Sequence, residues 1–170
     1  MFMGREHRFD GSPGSLGSDP FGLTGTLEAT AKAASVDPTL ETDNTLMAAA
    51  VALELARENL ETAHARVLAR LDATSATDTA VGMRTGGWLA WETDTNPTRC
   101  RQRVGEAKRL GWFPEFTNAL VETRVRFCHG ALLASVANPR NRDGLRAAQS
   151  VLIEWAEQFH FSQWAAMVRQ

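Results

Sequence analysis

The sequence predicts an all-α protein: a multi-helix bundle with one long N-terminal helix and a helix-turn-helix-like unit. Three observations predict it. A stretch without Gly or Pro, rich in Ala, Leu, Glu and Arg, runs from Asn44 to Leu71. Shorter apolar-periodic segments follow, each punctuated by Gly, Pro or an N-cap residue. The alternating Val/Ile/Thr runs that mark strands are missing, and no repeat of solenoid period occurs. At 170 residues and 44% apolar composition, the chain is long enough for one core without metal or disulfide staples.

The elements read in order as follows. Residues 1–25 hold six of the thirteen glycines together with Pro13 and Pro20. So little apolar surface does not offset the entropy of ordering, and the segment reads as a flexible tail. Residues 26–170 then read as a single helical domain. A weak helix spans Thr26 to Ser35, stopped by Asp37-Pro38, because a residue before proline is pushed out of the α region. In the long helix, Asn44 is the expected N-cap, and Leu46, Ala50, Leu53, Arg57, Leu60, His64, Val67 and Leu71 alternate in steps of four and three. That is a heptad seam with two polar interruptions, suited to another helix or a second copy of the chain.

Asp72 to Gly82 reads as a loop. A short helix follows from Arg84 to Thr93. The next starts at Asn96 as N-cap with Pro97 in the first helical position and ends at Leu110-Gly111. Pro114 opens a helix to Glu122, and another covers Arg126 to Ala137. Leu145, Ala148, Leu152, Trp155, Phe159 and Trp164 mark the last helical stretch, with a break expected at Phe161-Ser162 and serine as the cap.

Charge separates the two halves. Residues 1–83 carry 6 basic and 12 acidic side chains, and residues 84–170 carry 12 basic and 8 acidic. Such asymmetry points to a polyanionic partner on one side of the protein. The overall net charge of −2 and a pI near 6.1 are far from those of a dedicated nucleic-acid domain. The local signal is the helix 97–110, where Arg99, Arg101, Arg103, Lys108 and Arg109 are opposed only by Glu106.

On a 100° wheel, Cys100, Val104 and Ala107 form one stripe, which should pack on the preceding helix. Gln102 and Arg109 point away, flanked by Arg101 and Lys108 on one side and Arg99 and Arg103 on the other. Double-stranded DNA is the partner this arrangement fits. Thr98, Arg99 and Gln102 are the base-facing candidates, and Arg101, Arg103, Lys108 and Arg109 the phosphate contacts. The competing reading is the solvated face of an ordinary amphipathic helix. Gly105, in mid-helix, reads as a point of close packing.

No catalytic residue and no cofactor is expected. There is no nucleophile elbow, phosphate loop or paired His-Glu helix motif. Cys100, Cys128, His129 and His160 lack zinc spacing, so no metal site is expected. The two thiols form no C-x-x-C pair, which favours a reducing, cytoplasmic setting. The longest run without Asp, Glu, Lys or Arg is Phe127 to Pro139. It falls short of the roughly 20 residues a bilayer span needs. Neither a membrane association nor a small-molecule substrate is expected.

Gly82-Met83-Arg84-Thr85, Trp88-Leu89-Ala90, and Cys100-Arg101-Gln102-Arg103-Val104 with Ala107 and Leu110 resemble an actinobacterial family. It is the domain of unknown function found N-terminal to HNH endonuclease domains, also called the thirteen-E-twelve repeat family. Phe113-Pro114 with Ala119-Leu120, and Leu145 to Phe159 leading to Gln163-Trp164, look like its continuation, so the resemblance covers 44–170. Asn96 stands where the family has a capping serine, Cys100 where it has a buried alanine, and the family's glycine has no counterpart between Glu122 and Phe127. The histidine-rich nuclease module is not among the 170 residues, so the resemblance implies no nuclease activity for them. It implies a helical accessory domain, in a mobile-element setting, that contacts or targets DNA.

Overall fold

The computed structural model describes residues 19–169, and among them there are ten α-helices and no strand. The chain is an all-α multi-helix bundle, as its punctuation predicts. By backbone contacts it divides into two units, residues 1–52 and 53–170. The division falls inside the stretch 26–170 read above as one domain. Most of the expected tail, residues 1–18, lies outside the described residues.

In the first unit, helix α1 (Leu23–Ser35) begins three residues earlier than expected. The reason is Asp19, whose carboxylate accepts from the backbone N–H of Leu23 at 2.7 Å and of Thr24 at 2.9 Å. The Thr24 and Leu23 bonds hold that carboxyl below the usual aspartate range. After α1, Asp37 accepts from Thr39 N at 2.9 Å and starts the short 3-10 turn Pro38–Leu40. Helix α2 (Asp43–Thr74) then begins. No described residue up to position 52 is buried.

The second unit holds the core. From residue 53 onward α2 turns Glu58, Thr62, Ala65 and Leu68 inward. The expected loop 72–82 is instead largely helical. Ser75, left-handed at φ 52°, separates α2 from a short helix α3 (Ala76–Val81), and Gly82 closes that helix at φ 68°. Then come α4 (Thr85–Thr93), α5 (Pro97–Leu110), α6 (Pro114–Val121) and α7 (Phe127–Val136). The chain ends in α8 (Arg142–Ala147), α9 (Gln149–Gln158) and α10 (Phe161–Val168).

The final break falls at Phe159-His160, not at Ser162. His160 is the N-cap of α10, and its N–H donates to Gln163 Oε1 at 3.3 Å. Between α6 and α7 the turn is made by Thr123, left-handed at φ 57°, in a segment that has no glycine. That conformation lets Arg124 N donate back to Ala119 O at 3.0 Å, closing α6 with a residue that holds this geometry less readily than glycine.

Phe113, Phe116, Leu133 and Trp164 are fully enclosed. The Trp164 indole N–H donates to Leu152 O at 2.9 Å, so the largest core side chain is also polar-satisfied. Buried Gln149 accepts from Glu115 N and Phe116 N at the start of α6 and donates to Arg146 O. Buried Glu58 does the same for α7, accepting from Cys128 N at 3.0 Å and from Arg57 Nη2 at 3.1 Å. A carboxylate at a helix N-terminus is favoured by the dipole as well as the bond. No helix among the described residues is long and apolar enough to cross a membrane.

Candidate nucleic-acid interface

Helices α4 and α5 pair through a turn in which Asp94 is left-handed at φ 54°. Asn96 then caps α5 as expected, its Oδ1 accepting from Thr98 N at 2.8 Å and Arg99 N at 3.4 Å. Cys100, Val104, Ala107 and Leu110 are the buried stripe of α5. The close approach between the two helices is at Gly86, not Gly105. A Cβ on Gly86 would lie 3.0 Å from the Arg101 Cα, whereas one on Gly105 would meet only Arg109 Nη1 at 3.6 Å.

The candidate cations do not form one surface. Arg103 is half-buried, and its Nη2 donates to Glu61 on α2 at 2.7 Å. Lys108 Nζ lies 3.6 Å from Asp72. Arg109 is turned inward, its Nε donating to Ala134 O on α7 at 2.6 Å. Thr98, Arg99, Arg101 and Gln102 are exposed. Among the described residues no carboxylate lies within ion-pairing distance of Arg99 or Arg101, and Arg101 Nε rests on Pro97 O at 3.2 Å. The wheel thus placed the buried stripe correctly, while three of the five cations are held by groups 25 or more residues away, Glu61, Asp72 and Ala134.

Two hollows open beside α5. One, of about 270 Å³, lies between α2, α5 and α7 and is lined by Arg57, Glu61, His64, Arg99, Gln102, Arg103 and Glu106 over Ala107, Gly130 and Ala134. The other, of about 400 Å³, is lined by His64, Leu89, Thr93, Thr95, Asn96, Arg99, Cys100 and Arg103. Sequence reading missed His64 as a neighbour of α5, because no local pattern brings a seam position of α2 against residues some forty positions later. Burial, and then the Arg103 charge, push the His64 imidazole below its ordinary value, against the pull of Glu61.

The cysteines and His129 lie apart from these hollows or within their walls. Cys100 is buried with its Sγ 3.1 Å from Thr95 Oγ1. Burial, then the Glu58 charge, raise the Cys128 thiol, which disfavours its thiolate at neutral pH. His129 is buried against Phe161 and Trp164, and its Nδ1 accepts from Arg126 N at 3.3 Å. Among the described residues no group of three or more His, Cys, Asp or Glu could hold a metal.

On α2, by contrast, the heptad seam is not the face packed in the core. Leu53 is 54% and Leu60 38% exposed, and Arg57 is exposed with them. His64, Val67 and Leu71 are half-buried. In the first unit, Leu46 and Ala50 are exposed as well. No protein-family model, no curated protein and no solved structure matches this chain.

Proposed function

We propose that this chain is a non-catalytic helical interaction module that self-associates through the seam of α2. One observation carries the reading: leucines at seven-residue spacing, Leu53 and Leu60, stand exposed on a helix whose core contacts use Glu58, Thr62, Ala65 and Leu68 instead. Leu46 continues the spacing in the sequence, and Val67 follows it. Read as a heptad, Leu46, Leu53, Leu60 and Val67 occupy d, the position where leucine favours two strands. Arg57 and His64 fall at a, where a polar residue costs stability but fixes register. A second copy is the natural occupant, since one seam supplies both the knobs and the holes. Sedimentation at tens of micromolar tests it: a dimer is expected, and Leu60→Asp should split it. A monomer for the unaltered chain removes the reading.

A second reading, contact with double-stranded DNA, is supported by the exposed Thr98, Arg99, Arg101 and Gln102, with two guanidiniums that no carboxylate among the described residues pairs with. Duplex affinity should fall with salt, and the Arg99→Ala, Arg101→Ala pair should flatten the log–log slope by about 2 units. Arg103→Ala should flatten it less, because Glu61 already holds that side chain. Absence of duplex retardation at about 50 mM salt counts against this reading. Membership of the HNH-associated family, with its mobile-element and cytoplasmic setting, belongs to the same proposal. An HNH module encoded in the same reading frame would support it.

A further inference from the structure

We propose that the hollow between α2, α4 and α5 is a binding site for a phosphate group, held by Arg99 and Arg103 with His64 opposite. The inference does not rest on α2 pairing, although His64 lies on that seam as well as in the hollow. It differs from the DNA reading in its residues, since it turns on Arg99 with His64 and Arg103, not on Arg99 with Arg101.

The sequence sets the geometry. Arg99 and Arg103 are four apart on α5, so both guanidiniums rise from one helix face. Both line the hollow, and His64 closes it from α2. The rest of the wall is neutral: Leu89, Thr93, Thr95, Asn96 and Cys100, with no carboxylate among the lining residues. The wall's own hydroxyl hydrogens are spent. Thr93 Oγ1 donates to Leu89 O at 2.7 Å, which leaves Thr95 to donate to Thr93 at 2.7 Å and the Cys100 thiol to Thr95 at 3.1 Å. The donors left to a ligand are the two guanidiniums and the Asn96 side-chain amide N–H, whose Oδ1 alone is used by the cap.

Glu61 takes Arg103 Nη2, and no other hydrogen bond occupies that guanidinium among the described residues. Arg99 has no carboxylate partner there at all. The result is a concave, cationic surface with no carboxylate in its lining and one, Glu61, behind Arg103, and a tetrahedral oxyanion with several acceptors matches the guanidinium forks. A volume of about 400 Å³ falls within the range of roughly 300–1,000 Å³ typical of ligand sites. The charged groups near His64 are Arg57 and Glu61 on its own helix and Arg99, Arg103 and Glu106 on α5.

The full chain is titrated with inorganic phosphate at constant ionic strength, following the His64 and arginine side-chain resonances by NMR. Saturable shifts in the millimolar range are expected. Arg99→Gln should weaken binding about tenfold, as expected for loss of a charge-assisted fork. Arg101→Gln removes the same charge from a side chain that does not line the hollow, and should change affinity little. In saturating sulfate, which keeps its charge across the range, His64 should titrate at higher pH than in chloride.

A nucleoside monophosphate and a short duplex, run as further arms, distinguish a free phosphate compound from a nucleic-acid backbone as the source. Whichever binds more tightly with dependence on Arg99 but not on Arg101 identifies it. Shifts that never saturate, equal losses in the two arginine variants, or a His64 titration indifferent to sulfate overturn the proposal.

Discussion

Residues 19–52 and residues 53–169 are both mostly helical, yet only the second set has an interior. The first unit forms α1 and the start of α2 from local forces alone: the Asp19 bonds to Leu23 and Thr24, the Asp37 turn and Ala-rich composition. None of its described residues is buried, and Leu40 is 82% and Met47 70% exposed. The second unit uses similar propensities but adds Phe113, Phe116, Leu133 and Trp164 at zero exposure. Propensity and capping specify helices, whereas a fold needs side chains that leave water together. Exposed leucines in the first set are therefore unspent burial, and the second set carries the cooperative stability.

The difference is open to direct attack. Trp164→Ala should cost about 3–5 kcal/mol, since it removes a large core side chain. Leu40→Ala in the first unit should stay within about 0.5 kcal/mol. Urea unfolding followed by circular dichroism reads both. Equal losses would mean that the first unit is buried in solution. Gly86→Ala comes next in size. Its Cβ would press on the Arg101 Cα and Cγ at 3.0 Å, and helix backbones yield only by moving apart. A loss of about 1–3 kcal/mol is expected, with reduced protection of the α4 and α5 amides from exchange.

How much of this was legible in the sequence follows the same division between local and distant causes. The cap at Asn96 and the Cys100-Val104-Ala107 stripe came out of the sequence because each depends on residues within one or two turns, and the ends of α6 and α7 came out too, although Gln149 and Glu58 hold their first turns from a distance. The loop read at 72–82 did not hold, since its Thr/Ala/Asp composition resembles a linker while Ser75 alone breaks the helix there. The DNA-facing patch was only partly legible. Arg103 meets Glu61 across 42 positions, and Arg109 finds the Ala134 carbonyl across 25. Neither partner announces itself in the local pattern. The heptad of α2 was legible as a repeat, yet which face packs in the core was decided by Glu58 and its distant bond to Cys128.

Acid should also separate the two units. His129 is buried and neutral, with Nδ1 accepting from Arg126 N and the proton on Nε2, which has no hydrogen-bond partner among the described residues. Burial depresses its pKa below the ordinary 6.5, more than the Glu58 charge restores. The unfolded chain therefore binds protons that the folded chain refuses. Stability is full above 6.5 and falls as pH drops below it, with His64 adding in the same sense. The urea midpoint should decline between about pH 7 and pH 5, where carboxylates remain ionised. His129→Asn should flatten that decline whatever it does to the midpoint itself. A midpoint that rises toward pH 5 would contradict the neutral, buried imidazole.

The smallest effects are the most discriminating, because they ask whether α5 is packed all round or only on its inner stripe. Gly105 sits in the middle of that helix with only Arg109 Nη1, at an ordinary contact distance of 3.6 Å, near its absent Cβ. Alanine there removes backbone entropy from the unfolded chain without a clash, so Gly105→Ala should stabilise the second unit by about 0.5–1 kcal/mol. Gly25, inside α1, has nothing within 4 Å of its missing Cβ. Gly25→Ala should raise the helical signal slightly while leaving the urea midpoint of the core unmoved, because α1 buries no residue. The same substitution thus reports on two different things: in α5 it reaches the cooperative transition, and in α1 it changes only a local helix–coil balance. If Gly25→Ala moved the midpoint as much as Gly105→Ala, the first set of residues would belong to the cooperative core, and the contrast between the two would be lost.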